Sequence, residues 1–235
     1  MDTLYIVMPA YNEEANIEKT VREWYPIIDN QNDESRMVIA DGGSCDMTHE
    51  ILERLKGIYP KLIVLSNTKK EHGPKVIALY SFAIKNKADY IFQTDSDGQT
   101  NPDEFQVFWD LRNRRDAILG IRPIRGDGRS RKVIETVLCL ILGIYFGIRV
   151  KDANAPYRLM KTEIIEKYIQ RLPIDYNLPN VMLTTYFVYY NENIEFRKIT
   201  FKARQGGKNS INIRKITQIG WRALHDFRVF KRNMN

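Results

Sequence analysis

The sequence predicts one α/β domain, with a mostly parallel central sheet and helices on both faces. Three observations predict it. Short, unbroken apolar runs recur through the first half of the chain, helix-period segments separate them, and loops rich in Asp, Asn, Gly or Ser follow several of the runs. Strands buried on both faces read as continuous apolar runs, and strand–helix alternation is the pattern of a parallel sheet. A length of 235 residues is enough for one large domain with a sizeable core.

The elements follow in order. The first strand is predicted over residues 4–8. Asn12 then reads as an N-cap, and Glu13 and Glu14 suit the positive end of a helix dipole. Ile17, Val21 and Trp24 recur at helical spacing behind them. Residues 37–40 form the second strand, Asp46 and Thr48 read as helix caps, and Ile51, Leu55 and Ile58 mark the next helix. Residues 62–65 form a third strand, and Val76, Tyr80 and Ala83 a third helical face. A fourth strand covers 90–92. Asn101-Pro102 reads as N-cap and first-turn proline, ahead of Phe105, Phe108 and Trp109. Residues 117–121 form the fifth strand.

The second half is less regular. Helices are predicted over 133–148, 163–172 and 181–190, and a strand over 194–203, where Ile199 and Phe201 break the alternation. Tyr186, Tyr189 and Tyr190 read as packing residues. The stretch 133–148 is interrupted by Glu135 and falls short of the ~20 residues a membrane span needs, so it reads as a buried or interfacial helix. Residues 213–232 are basic and amphipathic, with Trp221, Phe227 and Phe230 on or near the apolar side. Such a helix suits either the surface of an anionic bilayer or packing on the domain.

The formal net charge of +7 favours an anionic partner. The basic residues do not interleave with a nucleic-acid recognition module, so nucleic acid is not expected. Cys45 and Cys139 are the only cysteines and show neither zinc spacing nor a disulfide framework. With no basic leader before residue 4, the expectation is a chain without a signal peptide, in a reducing cytoplasm.

Three loops fall after predicted strands, where open α/β sheets bind ligands. They are Pro9-Ala10-Tyr11-Asn12-Glu13-Glu14, Asp41-Gly42-Gly43-Ser44-Cys45-Asp46 and Asp95-Ser96-Asp97-Gly98-Gln99. The third carries two carboxylates one residue apart. Hard cations such as Mg²⁺ or Mn²⁺ take such oxygen ligands and share their coordination with phosphates. A site of this kind suits a nucleotide diphosphate as leaving group. Neither the glycine fingerprint of a dinucleotide fold nor a Walker loop is present. Lys75, after Gly73-Pro74, reads either as a phosphate contact of the nucleotide site or as a surface lysine. His49, His72 and His225 stand isolated and are assigned no chemistry.

With these motifs in order, the sequence resembles family 2 glycosyltransferases of the GT-A fold. The resemblance rests on residues 7–14, on 38–48 and on the Asp-x-Asp stretch, and covers about the first 125 residues. Gly120-Ile121-Arg122, the stretch from Asp152 to Arg158, and Arg204-Gln205-Gly206-Gly207-Lys208-Asn209-Ser210 resemble the polyprenyl-phosphate branch. This implies a nucleotide-sugar-binding half over 1–125, an acceptor-binding half over 126–210 and a terminal helix over 211–235.

The resemblance implies roles for individual residues. Pro9, Ala10, Tyr11 and Glu13 would line the nucleoside pocket, and Asp41 would hydrogen-bond the base. The family usually has a second Asp where this chain has Gly42. Asp95 would face the ribose, diphosphate and metal, and Asp97 and Gln99 would complete the metal ligands. Arg122, Arg131 and Arg204 would hold donor and acceptor phosphates, with Arg125 and Arg129 able to serve in place of Arg131. An acceptor phosphate is already ionised and needs only positioning by arginines. A sugar hydroxyl acceptor, as in extension of a lipid-linked or surface saccharide, would need a carboxylate base, for which Asp152 is placed. The expected reaction inverts the anomeric centre, transferring a sugar from a UDP- or GDP-linked donor. Its expected place is the inner face of the cell membrane.

Overall fold

The computed structural model describes residues 2–124, 129–204, 206, 213–232 and 234, with side chains at 129, 130 and 213–222 outside the description. In chain order the elements are β1 (Leu4–Ala10), α1 (Ile17–Asp29), β2 (Arg36–Asp41), α2 (Thr48–Lys56), β3 (Leu62–Leu65), α3 (His72–Lys85), β4 (Tyr90–Thr94) and α4 (Phe105–Trp109). There follow β5 (Ala117–Ile121), α5 (Arg129–Phe146), β6 (Tyr157–Lys161), α6 (Thr162–Ile169), α7 (Pro179–Tyr189), β7 (Ile194–Lys198) and α8 (Ile213–Arg232). The strands form one sheet in the order β3-β2-β1-β4-β6-β5-β7. All pairings are parallel except those of β6, which runs antiparallel to both β4 and β5.

Side-chain alternation divides the core in two. Leu4, Ile6 and Met8 of β1 face a cluster with Ile17, Val21 and Trp24 of α1 and Leu52 and Leu55 of α2. Tyr5 and Val7 face the other side, where Val76, Leu79, Tyr80 and Ala83 of α3 pack with α5, α6, α7 and α8. Every residue of β1 is buried, as the unbroken apolar run requires. Consecutive strands β1 and β2 neighbour each other, whereas β4 lies on the far side of β1. The strand order therefore reverses at β1, and the loops after β1 and β4 open a crevice there.

Two local expectations are corrected. Asn12 is not a helix cap: α1 starts at Ile17, and Asn12 takes a left-handed φ of +54°. The strand predicted over 194–203 ends at Lys198, and Phe201 makes an isolated bridge to Thr100 instead. At 101–102 the cap expectation holds. The Asn101 side chain accepts from the Asp103 amide, and a 3-10 turn over Pro102–Glu104 precedes α4. Among the described residues no helix is long and apolar enough to cross a membrane.

Candidate active site

The loops after β1, β2 and β4 are laced into one edge. Parallel register sets Ala10 beside Asp41. The Asn12 amide donates to Ser44 Oγ (3.0 Å), and the Asn12 side chain accepts from the Cys45 amide (2.9 Å). The Glu13 amide donates to Thr48 Oγ1 (2.7 Å), and Glu14 accepts from the Met47 amide (3.0 Å). Residues 12–14 are thus occupied in joining two loops, which delays the start of α1. The third loop is tied in by Ser96, whose hydroxyl donates to the Pro9 carbonyl (2.8 Å).

On the β2 side, Asp41 is almost wholly buried. It accepts from Ser44 Oγ and lies 3.3 Å from His49 Nδ1. Gly42 is required by close approach: a Cβ there would lie 2.0 Å from the Thr68 carbonyl oxygen. Two lysines lie over the Tyr11 ring, with Lys70 Nζ 4.8 Å and Lys75 Nζ 5.1 Å from its centroid. Lys75 is 1% exposed and donates to the Ala10 carbonyl. Burial brings its ammonium down to about 8. It braces the loop from beneath.

On the β4 side, Asp97 Oδ1 accepts from the Gln99 amide (3.1 Å), and Gln99 Nε2 donates to the Lys202 carbonyl (2.8 Å). This ties the acidic loop to the segment that delivers Arg204. Burial, and then the charge of Asp95, push the Asp97 carboxyl up to about 7. Glu13 is also raised, chiefly by burial, and is opposed by Asn16 and Arg204. Arg204 Nη2 donates to Glu13 Oε1 at 2.6 Å, and its Nε donates to the Gly206 carbonyl (2.8 Å). Carboxylates from two loops and one guanidinium therefore share an electrostatic neighbourhood.

The residues fit a divalent cation. Asp95 and Asp97, two positions apart on one loop, and the side-chain oxygen of Gln99, whose Nε2 is held by the Lys202 carbonyl, would offer oxygen donors to a hard ion. Among the described residues, no three His, Cys, Asp or Glu side chains converge as a metal cluster. Asp95 and Asp97 would be the acidic part of such a set.

A second group is built on β5 and α5. Arg122 forks onto Asp152, with Nε to Oδ2 and Nη2 to Oδ1 both at 2.9 Å, and lies 3.7 Å from Glu135. Its guanidinium carbon is 5.1 Å from the centroid of Phe201, which joins the two groups. Arg131 is half-buried in the first turn of α5. Arg125 lies outside the described residues. The Asp152 loop is pinned from behind by Arg158, which is 0% exposed and donates to the carbonyls of Ala155 (2.8 Å) and Ala153 (2.7 Å) and to Thr184 (2.9 Å).

Sequence reasoning missed two histidines here. His49 meets Asp41, and His72 Nε2 lies 3.4 Å from Asp95 Oδ1. The signal for His72 was its place at the start of the helix that follows β3, on the crevice edge.

Known proteins align with this picture. Over 165 residues, 68% of this chain and 66% of the relative, it is 24% identical to an undecaprenyl-phosphate mannosyltransferase of Micrococcus luteus. It is 35% identical over 100 residues to the succinoglycan biosynthesis protein ExoA of Rhizobium meliloti, covering 43% of this chain and 29% of that protein. It is 22% identical to an undecaprenyl-phosphate 4-deoxy-4-formamido-L-arabinose transferase of Pseudomonas fluorescens, over 68% of this chain and 47% of the relative. The chain thus spans from under a third to about two thirds of the length of these relatives. Its fold is the GT-A fold. It superposes on glucosyl-3-phosphoglycerate synthase of Mycobacterium tuberculosis, crystallised with Mn²⁺, UDP-glucose and glycerol 3-phosphate. That match has a TM-score of 0.68 and 17% identity, and covers 98% of this chain and 80% of the other. The model of glycosyl transferase family 2 matches residues 5–169, a span that holds all three crevice loops and the Arg122–Asp152 fork, and the chain belongs to that family.

Proposed function

We propose that this family 2 enzyme moves a sugar from a UDP- or GDP-linked donor to a polyprenyl phosphate, with inversion, at the inner face of the cell membrane. The observation that carries the reading is the pairing of a half-buried, charge-hungry acidic loop at 95–99 with the Arg122–Asp152 fork along one sheet edge. The undecaprenyl-phosphate relatives support the acceptor class.

Each residue has a part. Asp41 meets the base, and Tyr11, braced by Lys75, walls the nucleoside. Asp95, Asp97 and Gln99 would hold Mg²⁺ or Mn²⁺, which when bound would supply positive charge to offset that of a diphosphate leaving group. Arg204 and Arg131 hold phosphates, and Arg122 orients the acceptor. An acceptor phosphate oxygen forms the new bond to the anomeric carbon as the bond from that carbon to the diphosphate oxygen breaks. No proton need be removed. The engagement of both Asp152 oxygens by Arg122 agrees with this, because a carboxylate so neutralised is a poor base. Arg122, Arg131 and Arg204 act electrostatically on charge that develops only as the bond breaks.

The test is a panel of UDP- and GDP-sugars with Mn²⁺ against three acceptors: polyprenyl phosphate, free polyprenol and a neutral saccharide. Only the phosphate is expected to be glycosylated, with the opposite anomeric configuration by NMR. Turnover of the saccharide or polyprenol with an inert phosphate overturns the reading.

A further inference from the structure

Helix α5 carries an apolar stripe that stays exposed among the described residues. Val133 is 61% exposed, Val137 48%, Leu140 63% and Ile144 81%. Their spacing of four, three and four residues places them on one helical face. Ile124, 81% exposed, precedes the same helix. Scattered exposed apolar residues are ordinary, but a continuous row marks an interaction surface.

The charges around the row state what it meets. Arg131 and Lys132 stand in the first turn of α5, which holds no acidic residue. Cations there oppose the helix dipole, which favours acids at that end. At the other end, Arg228, Lys231 and Arg232 of α8 join Ile144 and Tyr145 around one surface groove. The helix's one carboxylate, Glu135, is turned inward, accepting from the Ala153 amide at 2.8 Å. The row is thus apolar in the middle and cationic at both ends. A second copy docked on this face, in either orientation, would set cations against cations. An anionic bilayer accepts both features, since lysine and arginine meet headgroups while aliphatic side chains enter the acyl boundary.

Helix α8, the more obvious amphipathic candidate, turns apolar side chains of its described second half onto the domain. Ala223, Phe227, Phe230 and Met234 are buried. Phe227 packs on Phe146 with centroids 5.8 Å apart, and Phe230 packs on Tyr176 at 5.1 Å. The side chain of Trp221 lies outside the described residues.

We infer that the Val133–Val137–Leu140–Ile144 face of α5, flanked by Lys132 and by Arg228, Lys231 and Arg232, docks the protein on an anionic lipid surface. The choice of a bilayer as partner rests on the polyprenyl-phosphate reading. The docked helix meets the Arg122–Asp152 fork through Glu135, 3.7 Å from Arg122, so docking would set the fork close to the lipid surface.

The test is co-sedimentation of the full chain with vesicles rich in phosphatidylglycerol and with phosphatidylcholine vesicles, at low and high salt. The wild type is expected to bind the anionic vesicles, and salt to weaken that binding. The double variant L140E/I144E is expected to lose at least about tenfold in partition. V107E, at an exposed valine of α4, is expected to bind as the wild type does. The stabilisation by UDP or GDP with Mn²⁺ stays the same in all three, which shows that they are folded. The inference is overturned if the wild type ignores anionic vesicles or L140E/I144E binds them equally. A wild-type dimer that L140E/I144E dissociates, with no lipid binding, also overturns it. Vesicle binding that follows these expectations, combined with an inert polyprenyl phosphate, contradicts the acceptor reading and leaves the docking surface standing.

Discussion

Replacing Asp97 by Asn lowers kcat by about a thousandfold or more and abolishes the rise in Tm that Mn²⁺ produces. The magnitude is that of removing a principal group stabilising transition-state charge. The pH dependence separates this from simple misfolding. The Asp97 carboxyl titrates near 7 in the folded protein, raised by burial and by Asp95 from an ordinary value of 3.8. Between these values the unfolded chain has released a proton that the native state still holds. Stability of the metal-free protein therefore falls as pH rises from about 4 to about 7 and levels above that. The Asn variant lacks this loss, so without metal it is more stable than the wild type at pH 8, on the order of 2 kcal/mol. A cation competes with the same proton. Mn²⁺ should raise the wild-type Tm more at pH 8 than at pH 6, and should not move the variant at either pH.

Asp152→Ala unfolds far more easily than the wild type. Arg122 is only 5% exposed at its side chain, and Asp152 takes two of its donors. Removing the carboxylate leaves a buried guanidinium with Glu135 at 3.7 Å as its nearest remaining acid among the described pairs. Breaking a buried pair from one side costs about 3–5 kcal/mol, because the other charge is left uncompensated. In a protein of this size that is a fall in Tm of about 10 °C. Adding Arg122→Met to Asp152→Ala should recover more than half of the loss, and urea unfolding of both single variants and the double variant measures it. Activity stays lost in the double variant, since the fork that orients the acceptor is gone. Arg122→Lys keeps the charge without the fork, so it should hold most of the stability while turnover falls about a hundredfold.

Five of the six strands read from the sequence were legible because each is a continuous apolar run. β6 was not. Its sequence, Tyr157-Arg158-Leu159-Met160-Lys161, follows a proline and carries an arginine at a position that is fully buried. Arg158 is tolerable there because it donates to the Ala153 and Ala155 carbonyls of the preceding loop and to the remote Thr184, and no hydrophobic pattern announces these bonds. Its antiparallel insertion between β4 and β5 likewise comes from tertiary pairing. The start of α1 was misplaced for a related reason: Asn12, Glu13 and Glu14 have the chemistry of a helix start but are engaged by residues more than thirty positions away.

The candidate site was legible as three motifs, yet not as a network. Glu13 reads as a pocket residue in the sequence, and the structure adds that it is the counter-ion of Arg204. His72 looked isolated because its partner Asp95 is 23 positions away, and His49 because the turn that folds it back onto Asp41 is not visible in the sequence pattern. For α8 the amphipathic pattern was correct and did not reveal which surface its apolar side would take. Phe227 and Phe230, in its described second half, pack on Phe146 and Tyr176, and the exposed row is on α5.

The most direct test of the central claim is a crystal grown with Mn²⁺ and UDP or GDP, with data collected at the manganese absorption edge. An anomalous peak between Asp95 and Asp97, with the diphosphate on it and the base beside Asp41, is the predicted result. Manganese and nucleotide bound elsewhere, with the crevice between β1 and β4 empty, would contradict it.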